Sequence, residues 1–157
     1  MMPKERSLTF DSPEETAVFA RRLGSILRPG HTLLLEGGIG AGKTHFARAL
    51  IQSLLATPED IPSPTFTLVQ VYEGRNGEIW HCDLYRLGTP EEIEELGLTE
   101  AFNTAICVVE WPDRLGPLTP DAALTLSFRP DPEHELTRHV ALRWSDPDWS
   151  ELLSEAA

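Results

Sequence analysis

A lysine and a threonine set directly behind a run of glycines are suited to holding a polyphosphate. Gly37-Gly38-Ile39-Gly40-Ala41-Gly42-Lys43-Thr44 fits the phosphate-loop pattern G-x-x-x-x-G-K-[ST] without a mismatch. Glycines let the backbone curl with its N–H groups inward, and the start of the following helix adds partial positive charge. Lys43 supplies a mobile cation for the outer phosphates, and the Thr44 hydroxyl can ligate a Mg²⁺ that bridges them. Such a loop also needs an acidic residue at the end of a neighbouring apolar strand. Glu110, directly after Ile106-Cys107-Val108-Val109, and Asp83, at period two with His81 and Tyr85, are both candidates for metal binding. Thr65 lies in a loop stiffened by Pro62 and Pro64, where a switch threonine would sense the outer phosphate. His81 either orients a water or fills space. Trp111 sits at a strand's carboxyl end beside Glu110, and Arg86 is the nearest candidate cation for charge that develops on a phosphate. The chain has no Asn-Lys-x-Asp guanine-specificity motif, which favours adenine as the base.

These residues need a strand before the loop and a helix after it. Thr32-Leu33-Leu34-Leu35-Glu36 is an apolar run of buried-strand length, and Phe46, Leu50, Ile51, Leu54 and Leu55 recur at helical spacing over 44–56. Upstream, Ser7 to Phe10 reads as a strand. Ser12-Pro13-Glu14-Glu15 then opens a helix with a capping box, whose apolar stripe (Val18, Phe19, Leu23, Ile26, Leu27) runs to Pro29-Gly30. Downstream, strands over 66–72 and 78–85 flank Asn76-Gly77, a pair favoured in tight hairpin turns. A second capping box at Thr89-Pro90-Glu91-Glu92 starts a short acidic helix that Gly97 closes. Ala105 to Val109 reads as a central buried strand, and 122–128 and 139–144 as two closing strands. The expected fold is α/β: a single phosphate-loop domain over 1–145 with a mixed central sheet and an inserted β-hairpin. The acidic tail, 146–157, is expected to pack loosely.

The chain of 157 residues carries 13 Lys+Arg against 25 Asp+Glu, a net charge of −12. Nucleic-acid binding draws its affinity from neutralising phosphates, so direct binding of RNA or DNA by this chain alone is not expected, and an anionic membrane is disfavoured for the same reason. No apolar run has the length of a membrane span and no signal-peptide core is present, which gives an expected cytoplasmic location. Cys82 and Cys107 fall in apolar runs and read as small buried hydrophobes.

Four blocks in order, the glycine loop, Ser63-Pro64-Thr65-Phe66-Thr67-Leu68-Val69, His81-Cys82-Asp83-Leu84-Tyr85-Arg86-Leu87 and Val109-Glu110-Trp111-Pro112, resemble the bacterial TsaE family, formerly YjeE. The resemblance runs over positions 7 to 145. It implies a small ATPase of tRNA threonylcarbamoyladenosine (t6A) biosynthesis, with ATP and Mg²⁺ as cofactors and TsaB and TsaD as partners. In the family the TsaB–TsaD pair performs the transfer chemistry, and the ATP cycle of the third protein supports its multiple turnovers. Carried onto this sequence, the backbone from Gly38 through Ile39, Gly40, Ala41 and Gly42, with Lys43, Thr44 and His45, binds ATP. Thr44 and Glu110 hold Mg²⁺, Asp83 serves hydrolysis, Thr65 belongs to the switch-like loop and Trp111 flanks the site. Ser12 and Thr16 approach the adenine, and Arg138 approaches the nucleotide. The family usually has Asp at the position of Gly38 and often Thr at that of His45. The competing readings are a small metabolite kinase, for which no cationic lid segment is present, and a nucleotide sensor without turnover.

Overall fold

The structure, a computed structural model, describes residues 3–38, 40–61, 69–85 and 89–156. Its centre is a mixed seven-stranded sheet in the order β1-β7-β6-β2-β5-β4-β3. The strands are β1 Lys4–Phe10, β2 Thr32–Glu36, β3 Val69–Gly74, β4 Gly77–Asp83, β5 Ile106–Glu110, β6 Leu124–Pro130 and β7 Arg138–Trp144. β4, β5, β2 and β6 run parallel, and β1, β7 and β3 pair antiparallel at the two edges. The α/β class, the mixed sheet and the inserted hairpin (β3–β4) are as the sequence predicts.

Two apolar cores lie on opposite faces because side chains alternate along each central strand. Leu33 and Leu35 of β2 and Ile106 and Val108 of β5 join the core under α1 (Pro13–Gly24) and α2 (Lys43–Leu54). Leu34, Cys107 and Val109 face the other way, against α3 (Pro90–Glu95), α4 (Leu98–Thr104) and a 3₁₀ segment, Pro112–Leu118. With both faces covered, β5 is buried at every residue, which explains its unbroken apolar run. Cys82 and Cys107 are free and buried in this second core, and burial pushes the Cys107 thiol up to about 12.

The first core fixes the helix behind the phosphate loop. Phe10, Phe19, Phe46 and Phe128 form a chain of rings with centroids 5.4, 6.2 and 5.4 Å apart, joining β1, α1, α2 and β6. α1 starts at its predicted cap, where Ser12 Oγ accepts from the Glu15 N–H at 3.2 Å, while Glu15 Oε2 accepts at 2.7 Å from the N–H of Asp11, one residue before the cap, rather than from that of Ser12. It ends at Gly24 rather than running on to Pro29-Gly30. A Cβ at Gly24 would lie 2.8 Å from Ser53 Oγ, so the glycine lets α2 come close, and the chain tightens there into turns carrying Ile26 and Leu27.

Other local expectations shift as well. In the hairpin Gly74 pairs with Gly77, so the two-residue loop is Arg75-Asn76, one position earlier than the expected Asn-Gly turn. Thr89 caps α3, but its hydroxyl meets Glu92 Oε1 at 3.5 Å with no side-chain bond to the helix backbone. α4 has only Leu98 and Ala101 as buried apolar residues, too few to announce a helix. Residues 66–68 of the expected third strand lie outside the described residues.

The C-terminal tail corrects its expectation most clearly. Asp148–Ala156 forms a helix, α5, and Trp149 and Leu153, each 2% exposed, join the core with α1. Trp149 donates its ring N–H to Ala122 O at 2.6 Å and packs its ring 4.9 Å from that of His31. Two buried apolar side chains one turn apart outweigh an acidic composition. Among the described residues no helix is long and apolar enough to cross a membrane.

Candidate functional site

The carboxyl ends of β2, β5 and β4, where parallel strands of an open α/β sheet present their ligands, converge on the glycine loop. Gly37 leaves β2 at φ +142, and a Cβ there would lie 2.7 Å from Phe128 O, so only glycine fits. Gly42 sits at φ +106 immediately before α2, a left-handed turn that brings the loop back onto the helix axis. Lys43 and Thr44 then open α2 at the mouth of a cleft of about 340 Å³, which Gly40, His45, Asp83, Glu110 and Trp111 also line. The sequence thus brings its candidate cation, hydroxyl and both carboxylates to one place.

The charged groups there are held by one another. Lys43 is only 5% exposed; its ammonium donates to Gly37 O at 2.5 Å and lies 3.8 Å from the centre of the Trp111 ring. Burial lowers the Lys43 pKa, against the opposing charges of Glu110, Asp83 and Asp113. The Thr44 hydroxyl donates to Glu110 Oε1 at 3.1 Å, and His81 Nε2 donates to Glu110 Oε2 at 2.8 Å. Asp83 stands opposite Glu110 in the β4–β5 register and accepts the Tyr85 N–H at 3.0 Å. Burial raises the Asp83 pKa; the charge of Glu110 adds to this, while the Tyr85 hydrogen bond and the charges of Lys43 and His81 oppose it.

Trp111 is the one described non-glycine residue at positive φ, at φ 58 and ψ 55. The left-handed conformation costs about 1–2 kcal/mol for an L-residue with a side chain. Here it turns the chain sharply after β5 and lays the indole over Lys43, with the Tyr85 ring tilted against it at a centroid distance of 4.8 Å. The tilted Tyr85–Trp111 pair is a contact that the sequence does not announce, although the period-two spacing of Tyr85 from Asp83 is the available signal. His81, left between two roles, is neither water-facing nor inert filler: it is a fully buried partner of Glu110.

The remaining candidates border the cleft. Arg138 reaches over the loop, with Nη2 3.4 Å from Gly40 O and Nη1 anchored on Glu135 O and Thr137 O at 2.7 and 3.0 Å. His45 donates from Nε2 to Pro13 O at 2.9 Å, tying the start of α2 to that of α1, where Ser12 and Thr16 lie. Both of those hydroxyls serve the local cap, and Thr16 Oγ1 donates to Ser12 O at 3.4 Å. Gly38 accepts the Ala41 N–H at 3.2 Å, and Ala41 is buried beneath the loop. The candidates Ile39, Thr65 and Arg86 lie outside the described residues.

Among the described residues no three His, Cys, Asp or Glu side chains form a metal cage. A Mg²⁺ that shares phosphate and water ligands needs only one or two protein oxygens. The hydroxyl of Thr44 and the carboxylate of Glu110, already 3.1 Å apart, fit that requirement, with Asp83 alongside.

A family model described as "Threonylcarbamoyl adenosine biosynthesis protein TsaE" matches residues 10–140. The chain is 40% identical over 119 residues to a tRNA threonylcarbamoyladenosine biosynthesis protein TsaE of Rickettsia bellii, covering 76% of this chain and 83% of that one. A Rickettsia conorii protein of the same name is 47% identical over 103 residues, covering 66% of this chain and 59% of the relative. Among solved structures, Bacillus subtilis YdiB superposes with a TM-score of 0.80 at 26% identity, covering 99% of this chain and 96% of the other. With its glycine loop, its paired carboxylates and a match over most of its length, this chain belongs to the TsaE family.

Proposed function

We propose that this protein is an ATP-binding, slowly hydrolysing accessory of tRNA t6A modification, which acts in the cytoplasm on a TsaB–TsaD complex and supports its turnover. The observation that carries the reading is the convergence of Lys43, Thr44, Glu110 and Asp83 on one cleft at the mouth of the glycine loop. Lys43 and the inward N–H groups of the loop bind the phosphates, while Ser12, Thr16, His45 and Arg138 border the nucleotide. Thr44 and Glu110 would hold Mg²⁺, with Asp83 as a further oxygen, and the ion would neutralise phosphate charge when bound. Asp83, which lines the same cleft opposite Glu110, would serve hydrolysis. Thr65 belongs to the element that responds to the outer phosphate.

Partner dependence has a physical basis. Charge grows on the transferring phosphoryl group, and phosphate-loop switches gain a large rate factor from a cation supplied or ordered by a partner. Here Lys43 is engaged with Gly37 O and Trp111, and Arg138 is held by turn carbonyls. The net charge of −12 leaves tRNA contacts to the partners. The test is steady-state phosphate release by the chain alone and with TsaB–TsaD, for the wild type and Thr65→Ala. Slow release alone, clear stimulation by the pair, and loss of that stimulation in the variant with ATP binding intact are expected. An isolated chain already as fast as the complex would make it a self-sufficient ATPase.

A further inference from the structure

His81 is fully buried, yet among the described residues only one of its ring nitrogens has a partner. Nε2 meets Glu110 Oε2 at 2.8 Å, and Nδ1 makes no hydrogen bond to any of them. A buried polar ring with half its capacity unmet weakens a fold, and a leucine would fill comparable space without that defect. The imidazole is therefore best explained by what its other nitrogen does. Glu110 is itself 3% exposed, and both of its oxygens are taken: Oε1 receives the Thr44 hydroxyl at 3.1 Å and Oε2 receives His81.

A glutamate's terminal torsion is broad, so a carboxylate held at one oxygen can still rotate. Held at both, it presents Oε1 to the cleft in one orientation. A carboxylate only accepts, which fixes the hydrogen on Nε2. The parallel register sets the pair: Asp83 stands opposite Glu110 and His81 opposite Val108, so the imidazole reaches Glu110 diagonally from one step deeper in the sheet.

We propose that His81 is a positioning residue that locks the Glu110 carboxylate, so that Glu110 Oε1 and the Thr44 hydroxyl form a preset pair of hard oxygens for the divalent cation accompanying the nucleotide. The proposal rests on the Mg²⁺–ATP reading of the cleft. His81 touches neither nucleotide nor cation; it acts through Glu110, as outer partners of metal ligands do.

Calorimetry of ATP binding to the full chain, with Mg²⁺ and with EDTA, tests this on the wild type, His81→Leu and His81→Gln. His81→Leu should lose about 10-fold or more of the Mg²⁺-dependent gain in affinity, the scale of an outer-partner loss. Its metal-free affinity should stay within about twofold of wild type, since the phosphate loop is untouched. His81→Gln, whose amide N–H can reach the place of Nε2, should recover part of the gain. A thermal melt of each variant comes first. If His81→Leu does not fold, His81→Gln and the shorter His81→Asn decide the matter: the gain must survive in the first and fall in the second. An unchanged gain in His81→Leu, an equal loss with and without metal, or no difference between the two amides overturns the proposal. A wild type with no Mg²⁺-dependent gain would instead remove the Mg²⁺–ATP reading beneath it.

Discussion

The parallel strands β2, β5 and β4 and the antiparallel edge strands β1 and β7 share one sheet and treat charge in opposite ways. At the carboxyl ends of the first group the fold buries Lys43, His81 and Glu110 and puts Trp111 in a left-handed conformation. The second group keeps its polar contact nearer the surface: His139 of β7 with Asp131, just beyond β6. Buried charges and strained backbone persist only where the surroundings hold them, and they mark the places where a fold gives up stability for chemistry. The antiparallel side is scaffold, as is α5, which joins the core with α1. The contrast teaches that stability and ligand affinity should respond to different residues.

The largest effect should come from the scaffold. Trp149→Ala removes a core side chain and its hydrogen bond to Ala122 O, and should destabilise the protein by about 3–5 kcal/mol in chemical denaturation. ATP affinity measured well below the melting temperature should be unchanged; a parallel fall would join the two regions and break the comparison.

Lys43→Ala should do the reverse. Taking one cation from the phosphates should weaken ATP binding on the order of 100-fold by calorimetry, while the melting temperature stays near wild type. A large loss of stability would show that the buried lysine is part of the scaffold.

A smaller effect sharpens the scaffold side. Burial lowers the His31 pKa, helped by the Arg28 charge and opposed by Asp148 and Asp146, and its ring packs on Trp149. The unfolded chain, with a histidine near its ordinary value of about 6.5, takes up a proton first as pH falls. The contribution to stability is therefore complete above that value and declines as pH drops from it through the lower folded pKa. Denaturation midpoints at about pH 7.5 and 5.5 should differ more for the wild type than for His31→Phe, which removes the titrating ring. An equal drop in both would place the pH response elsewhere.

Much of this was legible in the sequence where local chemistry and burial agree. The glycine loop, β2, β5 and the cap of α1 each carry a complete signal in adjacent residues. Lys43, Thr44 and Glu110 were found because a motif and a strand end announce them. What was not legible depended on contacts distant in sequence. The His81–Glu110 bond spans 29 positions and exists only once β4 and β5 are in register. The end of α1 depends on Ser53 pressing on Gly24, and the docking of α5 on Ala122 and His31. The tail was misread because its charges outnumber its two anchors, whereas burial of those anchors decides.

On the nucleotide reading proposed above, the contact between Lys43 and Gly37 O would make the loop selective before any base is read. The ammonium already has a carbonyl at 2.5 Å and an indole face. A ligand that calls on the lysine binds only the fraction of molecules in which it has let go, so its apparent dissociation constant is the intrinsic one divided by that fraction. On the ATP reading proposed above, a triphosphate would replace the lost contacts with charged oxygens. The lysine's own resting place would thus favour ligands whose phosphates extend far enough to call it away.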